Sequence, residues 1–225
     1  MQTTVFGEKV KKLIQGFVGQ LDSQAGYPQC DLDNAEDGLG ITIPKILKQY
    51  YLLAGRLSFN QAYNRLLSPD ELFLTDDKAL VFCRESQDVV FWSIQERDAG
   101  KEDPRVYQAS SLEQANWELD HKHVSDFLTT FFYWQAVNGG LEYGSYANVD
   151  KQTVETIRRK WRSIETKGLH IGDMEFFAKS GQVLCVLPEN NSYSLSVAGT
   201  TKERILDIDD VLGTDLQKHI QRPLW

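Results

Sequence analysis

The 225-residue sequence predicts an α+β fold, and three observations carry that prediction. A hairpin pattern, ALVFCRESQDVVFWSI, lies mid-chain at residues 79–94. Helical patterns with one apolar stripe precede and follow it. The last third holds three short strand patterns and then a helix, a C-terminal β-meander plus helix extension. A chain of this length buries a core that needs neither metal nor disulfide support.

Taken in order, residues 4–20 predict a helix whose stripe is Val10, Leu13, Ile14, Phe17 and Val18. Asp22 to Gly40 reads as a polar, Gly-containing loop. Its CDLDNAEDG fails as a calcium loop, because Ala35 stands at the third ligand position and Glu36 where Gly is required. Gly38-Leu39-Gly40 lacks the third Gly of a dinucleotide fingerprint, Ile43 standing in its place. Pro44 opens a helix with Ile46, Leu47, Tyr50, Tyr51 and Ala54 inward, and Gly55 reads as a left-handed stop. Residues 58–67 add a helical turn or two before Ser68-Pro69.

In the hairpin, Leu80 and Phe82 alternate with Val81 and Cys83, and both faces are apolar, as in a central strand. Arg84 to Asp88 turns the chain, with Glu85 and Gln87 shaping the turn; Val81, Phe82, Phe91 and Trp92 read as sheet and core. A charged loop closes on a strand at Arg105 to Gln108. The next helix, Val124 to Val137, has a broad apolar face and stops at Asn138-Gly139-Gly140. Residues 140–150 read as a soft boundary, and residues 151–164 as a helix. The three meander strands fall in LHIGDMEFFAK, QVLCVLP and SYSLSVAG. The final helix carries a capping box, Thr200 and Glu203, and a stripe of Ile205, Ile208, Val211 and Leu212. The chain thus divides into residues 1–140 and a C-terminal part, 141–225, packed on it as one unit.

No apolar run approaches the ~20 residues of a membrane helix, and the N-terminus lacks the h-region of a signal peptide, so a soluble cytoplasmic protein is expected. Cys30, Cys83 and Cys185 are far apart and form no C-x-x-C pair, which points to unremarkable thiols. The formal charge of −8 is uneven: residues 61–150 hold sixteen acids against seven bases. Such a field repels nucleic acid and steers a basic protein inward.

Four stretches, GLGITIPKILKQYYLLAGR, LVFCRESQDVVFWSI, EDPRVYQ and WELDHKHVSDFLTTFFYWQA, come in the order and spacing of a known pattern. Together they resemble the SUKH superfamily, the Smi/Knr-type proteins. The matching positions are Ile43-Pro44, Tyr50-Tyr51, Gly55, Glu85, Gln87, Trp92, Asp103-Pro104, Val106, Trp117 and Ser125-x-Phe127-Leu128. The match spans about residues 36–135 and departs at Ser86, Ser93 and Arg105. The resemblance implies a mostly antiparallel sheet flanked by helices. It also implies a non-catalytic binding protein, in most bacterial members an immunity protein that neutralises a toxin, often a nuclease; the alternative is a scaffold or regulator without a toxin.

Other chemistry is weaker. His121 and His123, two apart, suit a metal only with a third ligand, and none is evident; they read as a solvated approach to the helix. His170 and His219 pair with no nucleophile motif, and the chain has no G-x-S-x-G elbow. RRKWR, residues 158–162, reads as a solvated face with Trp161 inward. No cofactor or metal is expected, and no direct contact with nucleic acid or membrane. The candidate surface for a basic protein toxin is acidic: Asp31, Asp33, Glu36 and Asp37; Asp70, Glu71, Asp76 and Asp77; Glu96, Asp98, Glu102 and Asp103. Occlusion of the toxin's active site is the expected mechanism, with Tyr and Trp as anchors. An unfamiliar enzyme is the third class, and a pocket with two convergent titratable groups is the feature that favours it.

Overall fold

Apolar spacing sets the elements, and long-range partners set their limits. The computed structural model describes residues 5–113, 115–166, 168 and 173–221. In chain order, α1 (Val5–Val18), α2 (Gln29–Leu39) and α3 (Lys45–Ala54) precede β1 (Asn64–Leu66) and β2 (Phe73–Leu74). The hairpin follows as β3 (Ala79–Glu85) and β4 (Phe91–Gln95), then the single turn α4 (Glu96–Ala99), β5 (Val106–Ala109) and β6 (Glu118–His121). α5 (Val124–Gln135) continues as a wider turn through Gly140. The remainder is β7 (Tyr143–Val149), α6 (Lys151–Lys160), β8 (Arg162–Ile164), β9 (Glu175–Lys179), β10 (Gln182–Pro188), β11 (Tyr193–Gly199) and α7 (Lys202–Leu212).

The strands form two antiparallel sheets, so the fold is α+β. The first runs β1-β3-β4-β5-β6, with β2 also paired to β3; the second runs β7-β11-β10-β9-β8. β3 is buried from Ala79 to Cys83, as a central strand must be. The second sheet is buried on both faces. Phe176, Ala178, Val183, Cys185 and Ala198 join the core built by α1, α3, α5 and the first sheet. Phe177, Leu184, Val186, Leu195 and Val197 alternate with them and pack against Val154 and Ile157 of α6 and Ile205 and Ile208 of α7. The C-terminal part therefore shares one core with the N-terminal part and keeps a second of its own.

Two buried side chains tie irregular backbone to these elements. Gln135 Oε1 accepts the Asn64 N–H (2.8 Å) and the Tyr63 N–H (3.2 Å), while its Nε2 donates to the carbonyls of Asn64 (2.7 Å) and Phe59 (3.0 Å). Asn60 Nδ2 donates to the α3 terminal carbonyls of Ala54 (2.8 Å) and Gly55 (3.1 Å), and its Oδ1 accepts from the Tyr50 hydroxyl (2.7 Å). A buried donor or acceptor without a partner costs about 1–3 kcal/mol, so such nodes fix a unique geometry.

Several expectations are corrected. The supposed loop at residues 22–40 contains α2, whose one buried residue, Leu32, leaves no apolar stripe to read. Gly40 ends it at φ 68°, the left-handed region. Gly55, by contrast, is right-handed (φ −61°); it is required because a Cβ there would sit 2.7 Å from the Tyr27 ring and 2.8 Å from the Tyr51 carbonyl oxygen. The soft boundary is strand β7, paired with β11 along its whole length. The helix at residue 151 stops at Lys160, and Arg162–Ile164 becomes the edge strand β8. Residues 58–61 make one 3-10 turn, after which the chain enters β1. The charged loop contains α4. Val18 and Val211, assigned to buried stripes, are 42% and 47% exposed. Thr201, not Thr200, precedes α7, whereas Ser68 and Glu71 form a complete capping box. His170 and the start of the first meander segment lie outside the described residues.

Candidate functional site

Most of the acidic residues expected to face a partner are engaged within the chain. Glu36 accepts the Ile43 N–H (2.8 Å) and Lys48 Nζ (2.7 Å), joining α2 to the start of α3, and Asp33 adds a second contact to Lys48 (3.5 Å). Asp31 lies 3.4 Å from Arg56, Glu96 3.1 Å from Lys78 and Glu102 3.0 Å from Lys45. Burial opposes the charge of Glu71, but hydrogen bonds from the Ser68 N–H and hydroxyl and from Arg65 outweigh it and hold the carboxyl below its usual range. Asp77 accepts from the Trp117 indole N–H (2.7 Å), and buried Asp98 pairs with Lys101 (2.5 Å). Asp103 takes the Ser125 N–H (2.9 Å) and hydroxyl (2.6 Å) in the first turn of α5. These groups are framework. Asp37, Asp70 and Asp76 are exposed and have no ion-pair partner among the described residues.

α2 and the Pro69–Glu71 turn pack together and enclose a shallow groove of about 630 Å³. Tyr27, Ala35, Leu39 and Leu72 supply apolar surface there, and Asp31 and Asp70 line it with Arg56, whose guanidinium stacks 5.0 Å from the Tyr27 ring centre. Here two separate acidic stretches of the sequence become one surface.

A second hollow, of about 440 Å³, lies between the first sheet, α5 and the start of β9. Six aromatic residues line it: Tyr63, Trp92, Phe127, Phe131, Trp134 and Phe176. At its polar side the Trp92 indole N–H donates to Asp120 Oδ2 (3.1 Å), and His121 Nδ1 lies 2.7 Å from that same oxygen. A carboxylate oxygen accepts, so the imidazole Nδ1 donates to Asp120, and Nε2 lies 3.3 Å from the Thr130 hydroxyl oxygen. Asp120 and His121 are only 3% and 2% exposed, so His121 is a core-facing group and not a solvated approach to α5. Trp92, in β4, packs half-buried against the core, as the hairpin predicts, and also lines the hollow.

Two β-bulges put these groups in place. On β3 the register steps from Val81 opposite Ser93 to Cys83 opposite Trp92, leaving Phe82 as the extra residue. Across β5 and β6, Val106 faces His121 and Tyr107 faces Leu119, leaving Asp120 as the extra residue. Neighbours on a regular strand point to opposite faces; a bulge removes that constraint and re-aims a side chain, so Asp120 and His121 meet. No spacing rule shows this in the sequence. The only signal there was the density of aromatic residues around Trp92 and α5.

A third cleft, of about 880 Å³, is lined by Lys9 and Lys12 of α1, Lys160, Arg162 and Lys179. The basic run is solvated as expected: Arg158, Arg159, Lys160 and Arg162 are all exposed, Lys160 and Arg162 on this cleft and Arg158 beside Glu155 and Glu175. Trp161 is buried as expected and donates to Gln182 Oε1 (3.0 Å). Cys83 and Cys185 are buried and Cys30 is exposed. Among the described residues no three His, Cys, Asp or Glu side chains gather as metal ligands, and no helix is long and apolar enough to cross a membrane. Compared with family models, with curated proteins and with solved structures, the chain finds no match.

Proposed function

We propose that this chain is a non-catalytic binding protein that neutralises a basic protein toxin, such as a nuclease, by covering its active site. The groove between α2 and the Pro69–Glu71 turn supports the reading: apolar side chains lie beside Asp31 and Asp70, and Asp37, Asp70 and Asp76 are exposed with no ion-pair partner among the described residues. Such groups cost the fold nothing to neutralise, so their value lies in steering an encounter. The finer assignment to the SUKH type rests on the motif order. The test is co-purification with the toxin of a neighbouring reading frame at low and high salt, using the wild type and an Asp37→Asn/Asp70→Asn/Asp76→Asn variant. Capture that weakens with salt and with the triple change supports the proposal. Capture indifferent to both overturns the electrostatic mechanism, and the absence of any captured toxin favours a scaffold.

A hydrolytic reading has one observation in its favour, the line from Asp120 through His121 to Thr130, in which a carboxylate orients an imidazole toward a hydroxyl. It is the weaker reading, since Thr130 is 6% exposed in the middle of α5. Esterase activity abolished by both His121→Asn and Thr130→Val is the result that would establish it.

A further inference from the structure

The aromatic hollow differs from the Lys-lined cleft and from the α2 groove in the chemistry it offers. Of its fourteen lining residues six are aromatic, two are carboxylates (Glu85 and Asp120), and none is Lys or Arg. The aromatic walls come from β4, α5, β9 and the residue before β1, and they enclose space they do not fill. Acceptors dominate the polar part. Glu85 receives the Gln87 N–H (2.6 Å) and the Ser86 hydroxyl (2.8 Å), which hold its carboxylate in place without cancelling its charge. Asp120 is held by Trp92 and His121. Asn64 lines the same hollow and lies opposite Glu85 in the β1–β3 pairing.

We infer that this hollow is a binding site for an organic cation, a guanidinium or alkylammonium group carried on a slim apolar stem. Ring faces attract a cation through their quadrupoles, and the two carboxylates add Coulombic attraction. An anion is repelled by both carboxylates. The stem lies against Phe127, Phe131 and Phe176, and the charged head meets Glu85. The group can come from a free amine or from an Arg or Lys side chain of a protein. This inference stands apart from the toxin reading, whose acidic groove involves none of these residues.

The test is titration of the full chain with agmatine, with the peptide Ac-Ala-Arg-Ala-NH2 and with its citrulline counterpart, followed by tryptophan fluorescence and calorimetry. Saturable binding of the cations, at least tenfold tighter than the citrulline peptide, is expected. Glu85→Gln, at a partly exposed hairpin position that tolerates the change, should weaken it at least fivefold. Agmatine binding as tightly as the Arg peptide identifies a free amine as the natural occupant; the peptide binding tenfold tighter identifies a protein side chain. Equal binding of Arg and citrulline peptides, no saturable binding of any probe, or an unaffected Glu85→Gln variant overturns the inference. Toxin capture is measured separately, so either reading can fail without the other.

Discussion

α5 presents two stripes to two unlike hollows. Phe127, Thr130, Phe131 and Trp134 look into the aromatic cavity, while Asp126, Thr129 and Tyr133 look into the Lys-lined cleft shared with α1 and β8. The sheets that flank the helix differ in the same sense. The second sheet pairs in unbroken register, seven residues of β10 against β11 and seven of β11 against β7. The first sheet breaks register twice, and both breaks adjoin the cavity. Regular pairing fills space efficiently and makes a scaffold; a bulge gives up ladder hydrogen bonds to aim a side chain. The lesson is that this protein keeps its regular β-structure for support and its irregular β-structure for the site.

Truncation should separate the two regions most strongly. Phe177→Ala, in the tightly filled second core, is expected to cost about 3–5 kcal/mol in urea denaturation. Gln135→Leu is expected to cost about 3 kcal/mol, because it removes the side-chain partner of the Tyr63 and Asn64 N–H groups and of the Phe59 and Asn64 carbonyls. Trp92→Phe, beside space that already exists, should cost only about 1–1.5 kcal/mol, the value of its bond to Asp120. Equal costs for Phe177→Ala and Trp92→Phe would remove the distinction between scaffold and site. On the acidic face, Asp37→Asn, Asp70→Asn and Asp76→Asn should each leave stability within about 0.5 kcal/mol.

Glu71 sharpens the contrast between framework and free carboxylates through pH. Its carboxyl titrates below the ordinary 4.5 in the folded chain, so the stability it contributes is present above pH 4.5 and lost as pH falls through the lower folded value. Acid titration of stability should therefore be flatter for Glu71→Gln than for wild type. The smallest effect is chemical. A disulfide-exchange reagent should label one thiol, Cys30, in the native protein and three after unfolding. Burial pushes the Cys185 thiol up to about 12 and raises Cys83 as well, so neither forms thiolate at neutral pH.

The strongest periodic segments were legible from sequence because burial follows local spacing. Ile46, Leu47, Tyr50, Tyr51 and Ala54 are all buried, α5 ends where Asn138 and Gly139 leave helical geometry, and Leu195 and Val197 alternate with Ser194 and Ser196 across β11. α2 was illegible because it buries one residue, and β7 because Gly144, Ser145 and Asn148 imitate a linker until β11 pairs with them. The acidic candidates were identified by charge alone, which cannot tell Glu36, bound to Lys48 and the Ile43 N–H, from Asp37 beside it in open solvent.

What the sequence by itself determined is the α+β composition, the central apolar hairpin and the acidic bias of the middle segment, because each depends on side-chain identity and near-neighbour spacing. Only the tertiary structure decided which carboxylates face outward, and only it brought Asp120 against His121 and both against Trp92. Those outcomes depend on strand register and on partners tens of residues away. A one-residue bulge, costing little in any local propensity, reverses which face a side chain occupies.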